Sequence, residues 1–287
     1  MKNVIAPMLK NFTLLVLMTL AATSCQKNAD LSNASNRINL FLTDDPSVTF
    51  DNIFIDIQKV EIKAEDDSEA EHGHHSGNDD ASGDDHGSTS GGWITLKSSP
   101  GVYDILRFRN GLDTLLSAGT FPNMRSLTKI RSTLGGNNKA MLNGVSSSLT
   151  LKKNPIVINL EDALVQSNNL GGMNIWLDFD GTLSIRARGN QFELDPVVKA
   201  FTKDKAGSIE GRVIPSEAKA IVMAINGTDT ATARPEREGE FKIIGLKAGT
   251  YKLLVHPTAN NYTDAVLANI KVNSKDDTHV GNITLHK

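Results

Sequence analysis

The segment Arg37-Ile38-Asn39-Leu40-Phe41-Leu42-Thr43-Asp44-Asp45-Pro46 decides the fold class. Ile38, Leu40 and Leu42 alternate with Asn39, Phe41 and Thr43, the period-2 pattern of a half-buried β-strand. Asp44-Asp45-Pro46 closes it as a turn, because proline cannot continue the hydrogen-bond ladder. Downstream, Ile53, Ile55 and Ile57 alternate with Phe54, Asp56 and Gln58, and Val60 and Ile62 carry a strand on to Ala64. After a polar segment, Trp93-Ile94-Thr95-Leu96 resumes a strand, so the segment between is expected to join two strands of one sheet. Further strand candidates are Val102–Leu106, Met124–Thr133, Pro155–Leu160 and Gln191–Val198. Gly135-Gly136-Asn137-Asn138 is a turn cluster. Met173–Phe179 and Leu183–Ala187 are expected to form a hairpin around Asp180-Gly181, since Asp-Gly between alternating runs is a strong hairpin signal. Gly111–Ser117 is a short helical candidate, and long amphipathic helices are absent from the pattern.

Phe201–Ala206 is short and polar and marks a domain boundary. Beyond it, residues 207–287 contain alternating runs bounded by Gly, Pro or Asn: Gly207–Val213, Ala220–Ala224, Gly239–Ile243, Gly245–Val255, Ile270–Val272 and Val280–Leu285. Many short strands separated by turn signals indicate an all-β sandwich of about seven strands. The fold expected is all-β with two sandwich domains, 37–201 and 207–287.

The C-terminal unit resembles the carboxypeptidase regulatory-like domains, of transthyretin-like or starch-binding-like fold. The resemblance is carried by Ile209-x-Gly211-x-Val213, Gly239-x-Phe241 and Gly245-Leu246-x-Ala248-Gly249-x-Tyr251. It implies a seven-stranded accessory module without an active site, with Tyr251 packed on the core and its hydroxyl at the rim. The first unit resembles the bacterial lipoprotein domain-of-unknown-function family 4382. There the carriers are Leu42-Thr43-Asp44-Asp45-Pro46, Gly92-Trp93, Lys129-Ile130-Arg131, Leu177-Asp178-Phe179-Asp180-x-x-x-Ser184-Ile185 and Phe192–Val198. That resemblance implies an envelope β-sandwich and transfers no catalytic residue.

At the N-terminus, Lys2 and Lys10 precede an apolar run through Phe12–Leu20, followed by Ala21-Ala22-Thr23-Ser24-Cys25. A basic region, a short apolar region and small residues make a secretory signal. Cys25 directly after the small residues resembles a bacterial lipobox, which implies cleavage before Cys25 and lipidation of its thiol. The apolar run is shorter than the ~20 residues of a membrane span. Residues 1–24 are expected to be the signal peptide and 25–36 a polar tether. Gln26-Lys27-Asn28-Ala29-Asp30 is similar to the export tag of Bacteroidetes surface lipoproteins. The expected location is the outer membrane, on the cell surface or facing the periplasm.

Cys25 is the single cysteine, so internal disulfides and multi-cysteine zinc sites are excluded. The formal net charge is −3, and no basic stripe with interleaved aromatics is present, which argues against nucleic-acid binding. Charge is nevertheless uneven. Residues 64–92 hold nine carboxylates and no Lys or Arg.

Four of the seven histidines, His72, His74, His75 and His86, lie in this same loop beside Asp79, Asp80, Asp84 and Asp85. Imidazole suits Zn, Cu and Ni, and carboxylates suit Ca, so divalent-metal capture is one reading. A solvated low-complexity insertion is the other. Asp44, Asp45, Asp178 and Asp180 could form a Ca²⁺ site, but calcium takes six to eight oxygens. Turn formation and hairpin entry account for Asp44 and Asp180 more simply. Trp93, Trp176 and Tyr262, with Tyr103 and Tyr251, are the aromatics available for sugar stacking, although both tryptophans sit in strand patterns that suit a core. No Gly-x-Ser-x-Gly elbow, phosphate-binding loop, dinucleotide fingerprint or His-Glu-x-x-His motif occurs, so the chain is not expected to be an enzyme. The expected function is a lipid-anchored binding or structural module, with a polysaccharide or an envelope protein as partner. The alternatives are metal capture by the His/Asp loop and a structural spacer. Cys25→Ala is expected to abolish incorporation of radiolabelled palmitate and to leave the protein unprocessed on a gel.

Overall fold

The computed structural model describes residues 35–45, 50–66, 92–122, 125–160, 172–189 and 191–287. Cys25 and the His/Asp-rich segment, with its eight candidate metal ligands, lie outside these residues. Among the described residues no helix is long and apolar enough to cross a membrane.

The first sandwich runs through β1 (Ser35–Asp45), β2 (Asn52–Asp66), β3 (Trp93–Thr95), β4 (Lys97–Ser98), β5 (Gly101–Asp104), β6 (Thr114–Pro122) and β7 (Arg125–Leu134). It continues through β8 (Lys139–Leu142), β9 (Val145–Leu151), β10 (Ile156–Asn159), β11 (Met173–Asp180), β12 (Ile185–Arg188), β13 (Gln191–Leu194) and β14 (Val198–Phe201). One sheet has the order β14-β11-β1-β6-β4, and the other β10-β7-β2-β8-β9-β13-β12, with β3 and β5 also on β2.

As the alternation requires, Ile38, Leu40 and Leu42 of β1 are buried between the sheets. Beside them on the parallel partner β11 lie Ile175, Leu177 and Phe179. On β2 the buried set changes parity, from Ile53, Ile55 and Ile57 to Val60 and Ile62. The register against β7 shifts between Ile57 and Lys59, and a bulge there turns the side chains over. β3 pairs with β2 from Glu61↔Thr95 to Lys63↔Trp93, so the acidic segment does join two strands of one sheet.

Four local expectations are corrected. Ser35 and Asn36, expected in the tether, open β1 opposite Pro122 and Phe121. Asp44 and Asp45, expected in a turn, belong to the same strand opposite Phe179 and Asp180, where pairing with β11 extends the ladder to the residue before Pro46. Asp180-Gly181 is not a hairpin turn. β11 belongs to the five-stranded sheet, and β12 to the other, where it pairs with β13. Between them the one-turn helix α1 (Gly181–Ser184) carries the chain across, with the Asp180 carboxylate accepting from the Leu183 amide at 2.8 Å. Gly181 is there for closeness, since a Cβ would meet Ile53 Cδ1 at 2.8 Å. Gly111–Ser117 is not helical either. Its second half enters β6, which lies between β1 and β4, and sheet pairing overrides the local signal. A short 3-10 turn occurs earlier, at Ile105–Phe108.

The second sandwich consists of β15 (Gly207–Ile214), β16 (Ile221–Asn226), β17 (Asp229–Ala233), β18 (Glu240–Leu246), β19 (Gly249–His256), β20 (Ala265–Val272) and β21 (Asp277–Thr284). Seven is the number expected, although β17 lies outside the runs picked out from the sequence, and the sheets are β18-β15-β21 and β17-β16-β19-β20. Ile209, Val213, Val222, Phe241, Ile243, Leu253 and Val255 fill the space between. Tyr251 packs with them, and its hydroxyl donates to the Lys247 carbonyl at 2.9 Å.

The turn cluster Gly135–Asn138 is locked onto a buried carboxylate. Asp56 is 2% exposed, and its Oδ2 accepts from the Asn137 amide at 3.1 Å. The Asp56 amide donates to Asn138 Oδ1 at 2.9 Å, the Gly135 amide donates to the Asp56 carbonyl at 2.7 Å, and Gln58 donates to Asp56 Oδ1. A Cβ on Gly135 would lie 2.2 Å from Asp56 Oδ2, whereas one on Gly136 would meet nothing within 4 Å. Gly135→Ala is therefore expected to destabilise by about 1–3 kcal/mol in urea titration. Gly136→Ala is expected to change stability by less than about 1 kcal/mol, in the stabilising direction.

Candidate binding cleft at the junction of the sandwiches

The outward-facing positions of β1, β11 and β14 build the junction. Phe41 is register partner of Trp176, and Trp176 of Phe201, so the three rings line up across the sheet. The Phe41 and Trp176 centroids are 4.9 Å apart at 12°, and those of Trp176 and Phe201 6.1 Å apart at 24°. Ala206 and Ile244 of the second sandwich pack on this ladder. Trp176 Nε1 donates to Asp113 Oδ2 at 2.7 Å, and Lys203 Nζ lies 3.3 Å from the same oxygen and 4.3 Å from the indole centroid.

The connection between the sandwiches is a turn, in which the Lys205 and Ala206 amides donate to the Thr202 carbonyl. A second tie runs from Asn110 Nδ2 to the Arg234 carbonyl at 3.1 Å.

Beside the ladder a cleft of about 660 Å³ opens between the sandwiches. One wall is β10 and β14, with Val157, Asn159 and Lys199. The other is formed by Asp229 and Ala231 of β17 and by the Lys247–Tyr251 turn. Lys205 lies on the lining from the connecting turn. Lys199 and Lys205 are exposed and make no ion pair among the described residues. Burial raises the Tyr251 pKa, so its phenol stays neutral and keeps its bond to Lys247 at physiological pH.

On the three-stranded sheet, cation and carboxylates are instead matched. Lys242 Nζ is 2.8 Å from Glu210 and 2.9 Å from Asp277, Ser208 donates to Asp277, and His279 Nδ1 is 2.8 Å from Glu210. The Ser208 hydrogen bond, followed by that of Lys242, holds the Asp277 carboxyl below its ordinary value.

Of the five aromatics singled out from sequence, Tyr251 alone lines the cleft, and it is buried. Trp176 is buried in the ladder. Trp93, half-buried, carries the Arg131 guanidinium 4.1 Å from its ring centroid. Tyr262 donates to Glu217 at 2.6 Å and has Lys287 Nζ 4.9 Å from its ring. Tyr103 donates to the Ser99 carbonyl at 2.5 Å.

Of the four aspartates, Asp44 and Asp180 are buried, and Asp180 is the cap of α1. Asp178 alone of them reaches the cleft lining. Among the described residues no group of three or more His, Cys, Asp or Glu could hold a metal ion. Lys199 and Lys205 were not singled out from sequence. The signal that was available is the run of apolar residues on the outer face of β1, β11 and β14, which calls for a covering layer.

The fold is thus that of an all-β protein of two sandwiches with a cleft at their junction. Its first sandwich matches the family described as "Domain of unknown function (DUF4382)" over residues 35–196, and the chain belongs to that family. A comparison with curated proteins finds no match. Among solved structures, the chain is similar to a type II cohesin–X–dockerin complex from Acetivibrio cellulolyticus, at 23% identity and a TM-score of 0.22. That match covers 28% of this chain and 56% of the other, so it spans about half of that protein's length. The Bacillus anthracis TIE protein matches at 10% identity and a TM-score of 0.21, covering 88% of this chain and 34% of that one. A mutant of the shaft pilin spaA from Lactobacillus rhamnosus GG matches at 8% identity and a TM-score of 0.21, covering 88% and 98%.

Removing the central ring should cost more than any exposed change. Trp176→Ala is expected to destabilise by about 3–5 kcal/mol in denaturant titration. Asp113→Ala is expected to cost about 1–3 kcal/mol, because it leaves the buried indole N–H without its acceptor.

Proposed function

We propose that this is a lipid-anchored cell-envelope protein that acts as a non-catalytic binding module, with carbohydrate as its ligand class and the junction cleft as its site. In this reading Cys25 attaches the chain to the outer membrane, the segment from there to β1 is a tether, and the C-terminal sandwich is a carboxypeptidase regulatory-like accessory domain. The cleft carries the proposal. At about 660 Å³ it falls within the size range of small-ligand sites, and it lies where two domains meet, a preferred place for such sites. Its polar lining of Lys199, Lys205, Asp229 and Asn159 can orient hydroxyl groups.

The full chain, run over a broad glycan and polysaccharide array, is expected to bind in calcium buffer and equally in chelator. Binding lost in chelator would shift the reading to capture of a divalent metal through the histidine loop. Silence in both buffers would leave metal capture by the histidine loop or a structural spacer.

A further inference from the structure

Neutral sugars are held chiefly by stacking on exposed flat aromatics, with hydrogen bonds fixing their orientation. This cleft offers no such platform. Trp176 and Phe201 are buried in the junction ladder, and Tyr251 is 5% exposed with its hydroxyl engaged by Lys247.

What the cleft does offer is an excess of lysines, with Lys199, Lys205 and Lys247 against the carboxylates Asp178 and Asp229, and outward-facing peptide groups. Lys199 and Lys205 are exposed and unpaired among the described residues. Lys152, Lys203 and Lys242, by contrast, lie 2.6, 3.3 and 2.8 Å from carboxylates. β14 and β10 are the edges of their sheets. On β14 the Asp180 amide bonds the Val197 carbonyl, so the alternation of an antiparallel ladder turns the N–H groups of Val198 and Ala200 away from β11. On β10 the Leu160 amide bonds the Thr128 carbonyl, which turns those of Val157 and Asn159 away from β7. All four residues line the cleft. Unpaired lysines and outward N–H donors on one surface hold a carboxylate, through charge-assisted hydrogen bonds, more strongly than a neutral hydroxyl.

Resting on the carbohydrate reading above, we infer that the ligand is an anionic glycan, a carboxylated polysaccharide, gripped through Lys199 and Lys205. Attraction between exposed charges is screened by salt, so the grip weakens as ionic strength rises.

The test is binding of the full chain to polygalacturonate and to neutral dextran, with Lys199→Gln/Lys205→Gln compared against Lys139→Gln/Lys271→Gln. The control lysines are also exposed, but lie on β8 and β20 away from the cleft lining. All four replaced side chains are exposed, so both variants are expected to melt within about 2 °C of the parent. The expected result is polygalacturonate binding that weakens about tenfold or more between roughly 50 and 300 mM NaCl. The cleft variant is expected to lose a further tenfold or so, the control pair less than about twofold. Equal loss in both variants means diffuse attraction to the whole surface and overturns the inference. Binding of dextran but not polygalacturonate also overturns it, and leaves the carbohydrate reading standing. If neither polysaccharide binds and the glycan array is silent, both fall together.

Discussion

Trp176 lies between Phe41 and Phe201, with its indole nitrogen bonded to Asp113 and Lys203 above its face. The placement of the second sandwich depends on this ladder. Offset stacks of this kind add about 0.5–1.5 kcal/mol per ring pair beyond the area they bury. The larger contribution comes from covering three aromatic rings that would otherwise face water on the outer surface of a sheet. Ala206 and Ile244 provide the cover, and the five-residue turn after Phe201 is short enough to keep them there. The cleft is a consequence of that placement. The second sandwich sits on the ladder and leaves the neighbouring edges of β10 and β14 facing a gap.

Within the first sandwich β2 plays the corresponding part. Its fifteen residues pair with β7 along most of their length and also with β3, β5 and β8. A strand this long has to bend, and the bulge near Gln58 is where it does so. The buried Asp56 beside the bulge is satisfied by the Gly135–Asn138 turn and by Gln58. A buried carboxylate without such partners would be costly, so the turn and the bulge specify one another. The Glu61 carboxyl, further along the strand, is raised by burial but brought below its ordinary value overall by Arg131 and Lys59.

The strands were legible where alternation was clean, as at Ile38–Leu42, Ile53–Ile57 and in most of the second unit, but not at β17, whose Asp-Thr-Ala-Thr-Ala has only small apolar residues to mark it. The pairing of β3 with β2 across the acidic segment was legible as well, because apolar alternation stopped at Ala64 and resumed at Trp93. Asp180-Gly181 misled because a hairpin and a crossing between sheets use the same two residue types. Asp caps either a turn or a helix, and Gly permits either a positive φ or close packing. Here the nearby Ile53 side chain requires the close packing. The start of β6 misled because its helical signal is local, while its pairing with β1 and β4 is not.

Sequence by itself determined the class of this protein. Period-2 alternation, frequent turn residues and the near absence of cysteine leave an all-β chain stabilised by apolar cores. It also exposed the family, because the motifs around Asp44, Trp93 and Phe179 are local strings of residues. The tertiary structure alone decided which strands share a sheet and which aromatics are spent on joining the sandwiches. It alone brought Lys199, Lys205 and Asp229 to one cleft. Alternation records which side of a strand is apolar, but not what comes to cover it. That depends on contacts between residues far apart in the chain, such as Trp176 with Asp113 and Phe201 with Ile244.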